Sequence, residues 1–205
     1  MELSRVGSDL FGSTESQVLG ALARLSDPVS GRQLTKLAGV DSNSTVQRYL
    51  AKLRRMGLVH ATEIPSATLY RLNRDHVFWA AIEQVLTAPT QIEGEIAGLV
   101  QRLLGATARV AVFGSVAAGT AGADSDYDLL LIVDDQVSPA ARAEAVAALA
   151  ESVEALTGNE CQVVDVSESE LRDLAVHNSA LVQEWKKYAR PVDGGGQIRQ
   201  LQTVE

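Results

Sequence analysis

The sequence predicts an α/β (α+β) protein in two modules: a helical module closed by a hairpin, then an α/β module whose small mixed β-sheet is flanked by helices. Three observations lead there. Helix-period segments precede a strand pair in the first 74 residues, short apolar runs alternate with helical or glycine-rich segments after residue 108, and the charge changes between the two stretches. The 205-residue chain carries 18 Lys and Arg against 26 Asp and Glu, a formal −8, with 46% hydrophobic and 21% charged residues. That profile excludes collagen-like, low-complexity and disordered chains. Through His76 there are 10 Lys and Arg against 7 Asp and Glu, a net +3, and 8 against 19 in the remainder, a net −11. A locally basic N-terminal module is suited to phosphates even though the whole chain is acidic. No apolar run approaches the roughly 20 residues that cross a bilayer, so no membrane contact is expected. The start of the chain lacks the basic-then-apolar order of a secretory signal, and the single Cys161 has no disulfide partner within the chain. A cytoplasmic location is expected.

In the first module, Thr14-Glu15-Ser16-Gln17 reads as a capping box that opens a helix, with Val18, Leu19, Leu22 and Leu25 at helical spacing and Asp27-Pro28 as its stop. Ser30 caps a second short helix, Gly31 to Ala38, whose Leu34 and Leu37 are expected inside. Asp41-Ser42 then cap a third, Asn43 to Met56, with Val46, Leu50 and Leu53 as its buried stripe and Gly57 as its end. Two helices joined by a short glycine-containing turn are the parts of a helix-turn-helix reader. Asn43, Ser44, Thr45, Gln47, Arg48 and Lys52 are the expected contacts with double-stranded DNA. Strand-like stretches from Leu58 to Ile64 and from Thr68 to Leu72, around Pro65-Ser66, read as a hairpin or wing. This order, with Tyr49 to Val59 at its centre, resembles the winged-helix domains of bacterial transcription regulators over about 60 residues, 14–74, and residues 1–74 are the expected winged helix-turn-helix DNA-binding domain.

Residues 75–108 read as a helical connector. Asp75 caps a helix with Val77, Phe78, Ala81, Ile82 and Val85; Thr87-Ala88-Pro89-Thr90 interrupts, and a second helix carries Ile92, Ile96, Leu99, Val100, Leu103 and Leu104. Its apolar stripes also suit a second copy of the chain in a homodimer.

The second module, residues 109–193, holds the chemistry. Arg109 to Phe113 reads as a buried strand running into Gly114-Ser115, and Asp126-Tyr127-Asp128 leads into the run Leu129 to Val133. On a strand, residues two apart share a side at roughly 6.5–7 Å. Asp126 and Asp128 therefore offer two carboxylates to one point, a donor set for a hard divalent cation, while Tyr127 turns inward. Gly114 permits a tight bend and Ser115 adds a hydroxyl beside main-chain N–H groups, which together suit an anion. An anion site beside a dicarboxylate is the equipment of phosphoryl or nucleotidyl transfer, in which two metals roughly 3.5–4 Å apart stabilise the entering and leaving oxygens. Asp165, in the apolar strand Cys161 to Val166 after the helix Pro139 to Leu156, is the expected third carboxylate.

The string Gly114-Ser115-Val116-Ala117-Ala118-Gly119-Thr120-Ala121-Gly122-Ala123-Asp124-Ser125-Asp126-Tyr127-Asp128-Leu129 resembles the signature of minimal nucleotidyltransferases of the DNA polymerase beta superfamily. Asn178 to Gly194 resembles that family's closing helix and return strand. The resemblance implies an enzyme in which Gly114, Ser115 and Ser125 contact a nucleoside triphosphate (NTP), and Asp126, Asp128 and Asp165 are catalytic through Mg2+ or Mn2+. It implies transfer of a nucleoside monophosphate to a hydroxyl-bearing acceptor, which toxin–antitoxin members of the family make a protein or a transfer RNA. Two departures stand out: Val116 and Ala118 occupy positions where many members carry Arg, and Tyr127 replaces an aliphatic residue. The missing loop arginines leave a second reading, a winged-helix transcription regulator whose nucleotidyltransferase-like domain senses nucleotide or is inactive. Residues 194–205, opening with three glycines, are expected to be a flexible tail.

Overall fold

The structure, a computed structural model, describes residues 7–122, 124–177 and 180–192. The expected tail, Ala123 and Asn178 lie outside them. Residue contacts divide the chain into two compact units that part between Ala88 and Pro89.

In the first unit, α1 (Ser8–Phe11) and α2 (Ser13–Ala23) precede β1 (Val29–Ser30), α3 (Gly31–Leu37), α4 (Asn43–Met56), β2 (Val59–Ile64) and β3 (Ala67–Leu72). The strands form an antiparallel sheet in the order β1-β3-β2. Local chemistry sets the helix ends. Ser30 and Gln33 make a reciprocal capping box on α3, the Ser42 hydroxyl accepts from the Thr45 N–H at the start of α4, and Gly57, at φ 80°, closes α4 with left-handed backbone. Val18, Leu19, Leu22, Leu34, Val46, Leu50, Leu53 and Tyr70 form one core. Each full burial of such a side chain contributes about 1.5–3 kcal/mol.

The expected box at Thr14 does not form. The helix starts two residues earlier, after Gly12 at φ 93°, without a side-chain cap, and Ser16 is buried. Backbone freedom at that glycine, between α1 and α2, sets the start instead. Leu37 is 54% exposed, because α3 is seven residues long and buries only the face of Gly31, Leu34 and Thr35.

The connector is one helix, α5 (Trp79–Leu104), with Pro89 inside it. Ile82, Val85, Pro89, Ile92, Ile96, Leu99 and Leu103 recur at alternating spacings of three and four, so the apolar stripe passes through the proline without changing phase. Ile82 and Leu86 pack on the first unit's core, whereas Ile92, Ile96 and Val100 belong to the second. Val77 and Phe78, expected in the stripe, lie ahead of the helix and are exposed.

The second unit continues with β4 (Arg109–Val112), α6 (Gly114–Ala118), β5 (Tyr127–Val133), α7 (Pro139–Thr157), β6 (Cys161–Ser167), α8 (Glu168–Val176), α9 (Ala180–Tyr188) and β7 (Arg190–Pro191). The sheet order is β6-β5-β4-β7; β5 and β6 are parallel and the other pairs antiparallel, the expected small mixed sheet. Both faces are buried. Val112, Leu129, Leu131 and Val133 pack with Ile96 of α5 and Leu149 and Val153 of α7, while Ala111, Leu130, Ile132 and Val166 pack with Leu171 of α8 and Val182 and Trp185 of α9. Among the described residues no helix is long and apolar enough to cross a membrane.

Candidate functional site

The site is built where β4 ends. Phe113 is extended, its N–H donates to the Asp128 carbonyl at 3.0 Å, and its ring meets Trp185 edge-on at 6.0 Å. Held from both sides, the chain turns at Gly114, whose φ is +63°. A Cβ at Gly114 would collide with Asp128 Oδ2. The glycine is therefore required twice, for the left-handed backbone and for the space that the carboxylate takes. Gly119, at φ 71°, closes α6, and the Thr120 and Ala121 N–H groups donate back to the Ser115 carbonyl at 2.9 and 3.1 Å. The first turn of α6 has no side-chain cap, and the Ser115 hydroxyl makes no hydrogen bond to another described residue.

Ser125 serves the loop. Its hydroxyl accepts from the Gly122 N–H at 2.9 Å and its carbonyl from Asn159 Nδ2 at 2.8 Å, while the Tyr127 N–H donates to the Glu160 carbonyl. These bonds fix the approach to β5, so Asp126 and Asp128 enter the strand in register. Tyr127 turns inward as expected: it is 2% exposed in the core, and burial, with Glu93 second, pushes its phenol pKa up.

Asp128 shares the sheet face of Leu130 and Ile132. Its carboxyl is held above the usual carboxylate range by burial first, then by the charges of Asp126 and Glu184. Asp126 Oδ2 accepts from Gln162 Nε2 at 2.9 Å, and Gln162 lies opposite Asp128 across the β5–β6 pairing. Two carboxylates that act on each other by charge are a donor set suited to one hard divalent cation completed by water or phosphate oxygens.

Asp165 does not join them. It lies opposite Leu131, three positions beyond the Asp128–Gln162 pair and on the other face of the sheet. There it accepts from Arg142 Nε of α7 at 2.8 Å, and the same guanidinium donates to Glu170 at 2.8 Å. Arg142 gives this carboxylate in an apolar strand its partner. Among the described residues no three His, Cys, Asp or Glu side chains gather as metal ligands. Gln162 was missed because β6 carries apolar residues on both faces, so its alternation gives no phase.

On α4, Ser44, Arg48 and Lys52 are exposed, Arg48 and Lys52 on successive turns. Asn43 Oδ1 accepts from the Thr35 hydroxyl at 3.0 Å, and Thr45 bonds to the cap residue Ser42. Gln47, expected to face DNA, turns inward: it accepts from the Tyr70 hydroxyl at 3.2 Å and fills the space beside Gly31.

Residues 94–190 match the family model of the nucleotidyltransferase domain. The match runs from α5 to the first residue of β7 and contains the bend and both aspartates, and it supports a nucleotidyl-transfer role for this unit. A solved structure, the crystal structure of a toxin–antitoxin with AMP-PNP, is similar at 23% identity over 55% of this chain and 80% of that one, with a TM-score of 0.39. No curated protein matches the chain.

Two outcomes follow from the Gly114–Asp128 contact and the charge around it. Gly114→Ala and Gly119→Ala share the left-handed strain of roughly 1–2 kcal/mol, but only Gly114→Ala meets a neighbour. Urea denaturation is expected to show Gly114→Ala less stable than Gly119→Ala by a further ~1–3 kcal/mol; equal losses contradict the contact. Because the folded chain holds the Asp128 proton more tightly than the unfolded chain, stability falls as pH rises through the carboxylate range. In a chelator, Asp128→Asn is expected to raise the melting temperature at pH 7, with the gain vanishing once pH falls below the unfolded carboxylate pKa of about 3.9. A gain that persists in acid contradicts this cause.

Proposed function

We propose that the C-terminal unit transfers a nucleoside monophosphate from an NTP to a hydroxyl-bearing acceptor, with Mg2+ or Mn2+ held by Asp126 and Asp128 and the triphosphate by the Gly114–Ser115 bend. The observation that carries the reading is the contact of the bend with the carboxylate: Gly114 has no side chain where Asp128 sits, so an anion site and a cation site share one edge. When bound, the cation supplies Lewis acidity and charge neutralisation at the phosphates. The chain supplies the rest. N–H groups of the first turn of α6 and the Ser115 hydroxyl orient phosphate oxygens, the Gly122–Ser125 bond shapes the loop beside them, and Tyr127 closes the strand from the core side. The acceptor oxygen forms a bond to the α-phosphorus as the bond to the pyrophosphate oxygen breaks, and the acceptor's hydroxyl proton passes to solvent water.

One observation favours the second reading, in which the unit binds nucleotide as a sensor. The β6 position that faces Asp126 and Asp128 carries Gln162, which takes no proton from an acceptor hydroxyl.

We further propose that the N-terminal unit is a winged helix-turn-helix that binds double-stranded DNA, with α3 and α4 as the helix pair and β2–β3 as the wing. The element order, the exposed Ser44, Arg48 and Lys52, and the net +3 of residues 1–76 support it. Asn43 and Thr45 set the position of α4 through their bonds to Thr35 and Ser42, and Gln47 supports the helix from within.

For the enzyme, the measurements are labelled-nucleotide binding and pyrophosphate release with Mg2+. The double variant Asp126→Ala, Asp128→Ala is expected to lose release and at least about tenfold in nucleotide affinity, roughly 1.4 kcal/mol. Unchanged affinity rejects these residues, and tight binding without release in the natural sequence selects the sensor. For DNA, affinity is expected to fall steeply with salt. Arg48→Ala with Lys52→Ala should reduce the log–log slope by about 2. A flat salt curve in the natural sequence defeats the DNA reading.

A further inference from the structure

We infer that Gln162 makes this a site for one divalent cation rather than two, an inference that rests on the nucleotide-site reading above. Gln162 lies opposite Asp128 in the β5–β6 register and so shares its face of the sheet. Its Nε2 donates to Asp126 Oδ2 at 2.9 Å. This is the place on the neighbouring strand from which a third carboxylate would complete a second cation position, and a neutral amide stands there. The carboxylate expected for that role, Asp165, is three residues away, on the opposite face, and bound to Arg142. Among the described residues no other acidic side chain completes a group of three.

Two consequences follow from elementary charge and geometry. Two divalent cations roughly 3.5–4 Å apart repel one another strongly; here Asp126 and Asp128 stand ready as ligands and Glu184 acts on Asp128 by charge, but no third carboxylate among the described residues is gathered with them to ligate a second ion. The amide N–H also points its positive end at Asp126 Oδ2 and takes up one of that oxygen's acceptor sites, which weakens it as a ligand for a further ion. A single cation, held by the two aspartates and the phosphate oxygens, has neither difficulty. Gln162 is thus a positioning residue: it fixes Asp126 and sets the number of ions without touching the reacting atoms.

The side chain is exposed on an edge strand, so Gln162→Glu, a change of one atom and one charge, leaves the core untouched. The experiment is a Mn2+ titration of the full chain, read by calorimetry and electron paramagnetic resonance, with an NTP analogue non-hydrolysable between the α- and β-phosphates, each of the four bases in turn. The natural sequence is expected to take up one ion per chain with an isolated six-line spectrum. Gln162→Glu is expected to take up two, with the spectrum of a spin-coupled pair. Two ions in the natural sequence overturn the inference even if the variant fails to fold, and one ion in both proteins overturns it as well. Both results leave the nucleotide site standing. No nucleotide-dependent uptake in either protein overturns the site reading and the inference with it.

Discussion

The contact between Gly114 and Asp128 is the constraint on which the rest of the second unit depends. A left-handed bend and a half-buried carboxylate occupy adjoining space, and neither tolerates a side chain on the glycine. Around this contact the fold spends its most buried residues: Phe113 is pinned by Trp185 on one side and by the Asp128 carbonyl on the other, and Leu129, Leu130 and Leu131 are fully buried immediately beyond it. A strand buried on both faces starts at Tyr127 between the two aspartates, and the charge of Asp126 acts on Asp128.

The sheet's two buried faces also decide which acids take part. Alternation sends Asp128 toward the face covered by α8 and α9 and Asp165 toward the face covered by α7, where Arg142 links it to Glu170. That second cluster ties β6, α7 and α8 together, with Glu170 also completing the capping box on Ser167. One strand therefore contributes a neutral amide to the candidate site and a charged anchor to the scaffold.

Much of this was legible in the sequence because single residues carried it. Gly114-Ser115 before Asp126-Tyr127-Asp128 fixed the bend, the strand and the inward tyrosine; Ser30, Ser42 and Gly57 marked helix ends that the backbone respects. What was not legible depends on relations between segments. The β5–β6 register, which exchanges Asp165 for Gln162, has no local signal, since Val163 and Val164 are apolar on both faces. Gln47 reads as a polar residue on a helix, and only the proximity of Gly31 and Tyr70 turns it inward. Pro89 reads as a break in isolation, and α5 nevertheless runs through it.

The central claim is that Asp126, Asp128 and the Gly114–Ser115 bend form one cation-and-phosphate site. A crystal of the full chain grown with Mn2+ and a non-hydrolysable NTP analogue, with diffraction data collected at the manganese absorption edge, tests it most directly. The account predicts anomalous density between the Asp126 and Asp128 carboxylates, with the triphosphate against the first turn of α6. Manganese bound elsewhere, or nucleotide density away from that bend, contradicts it.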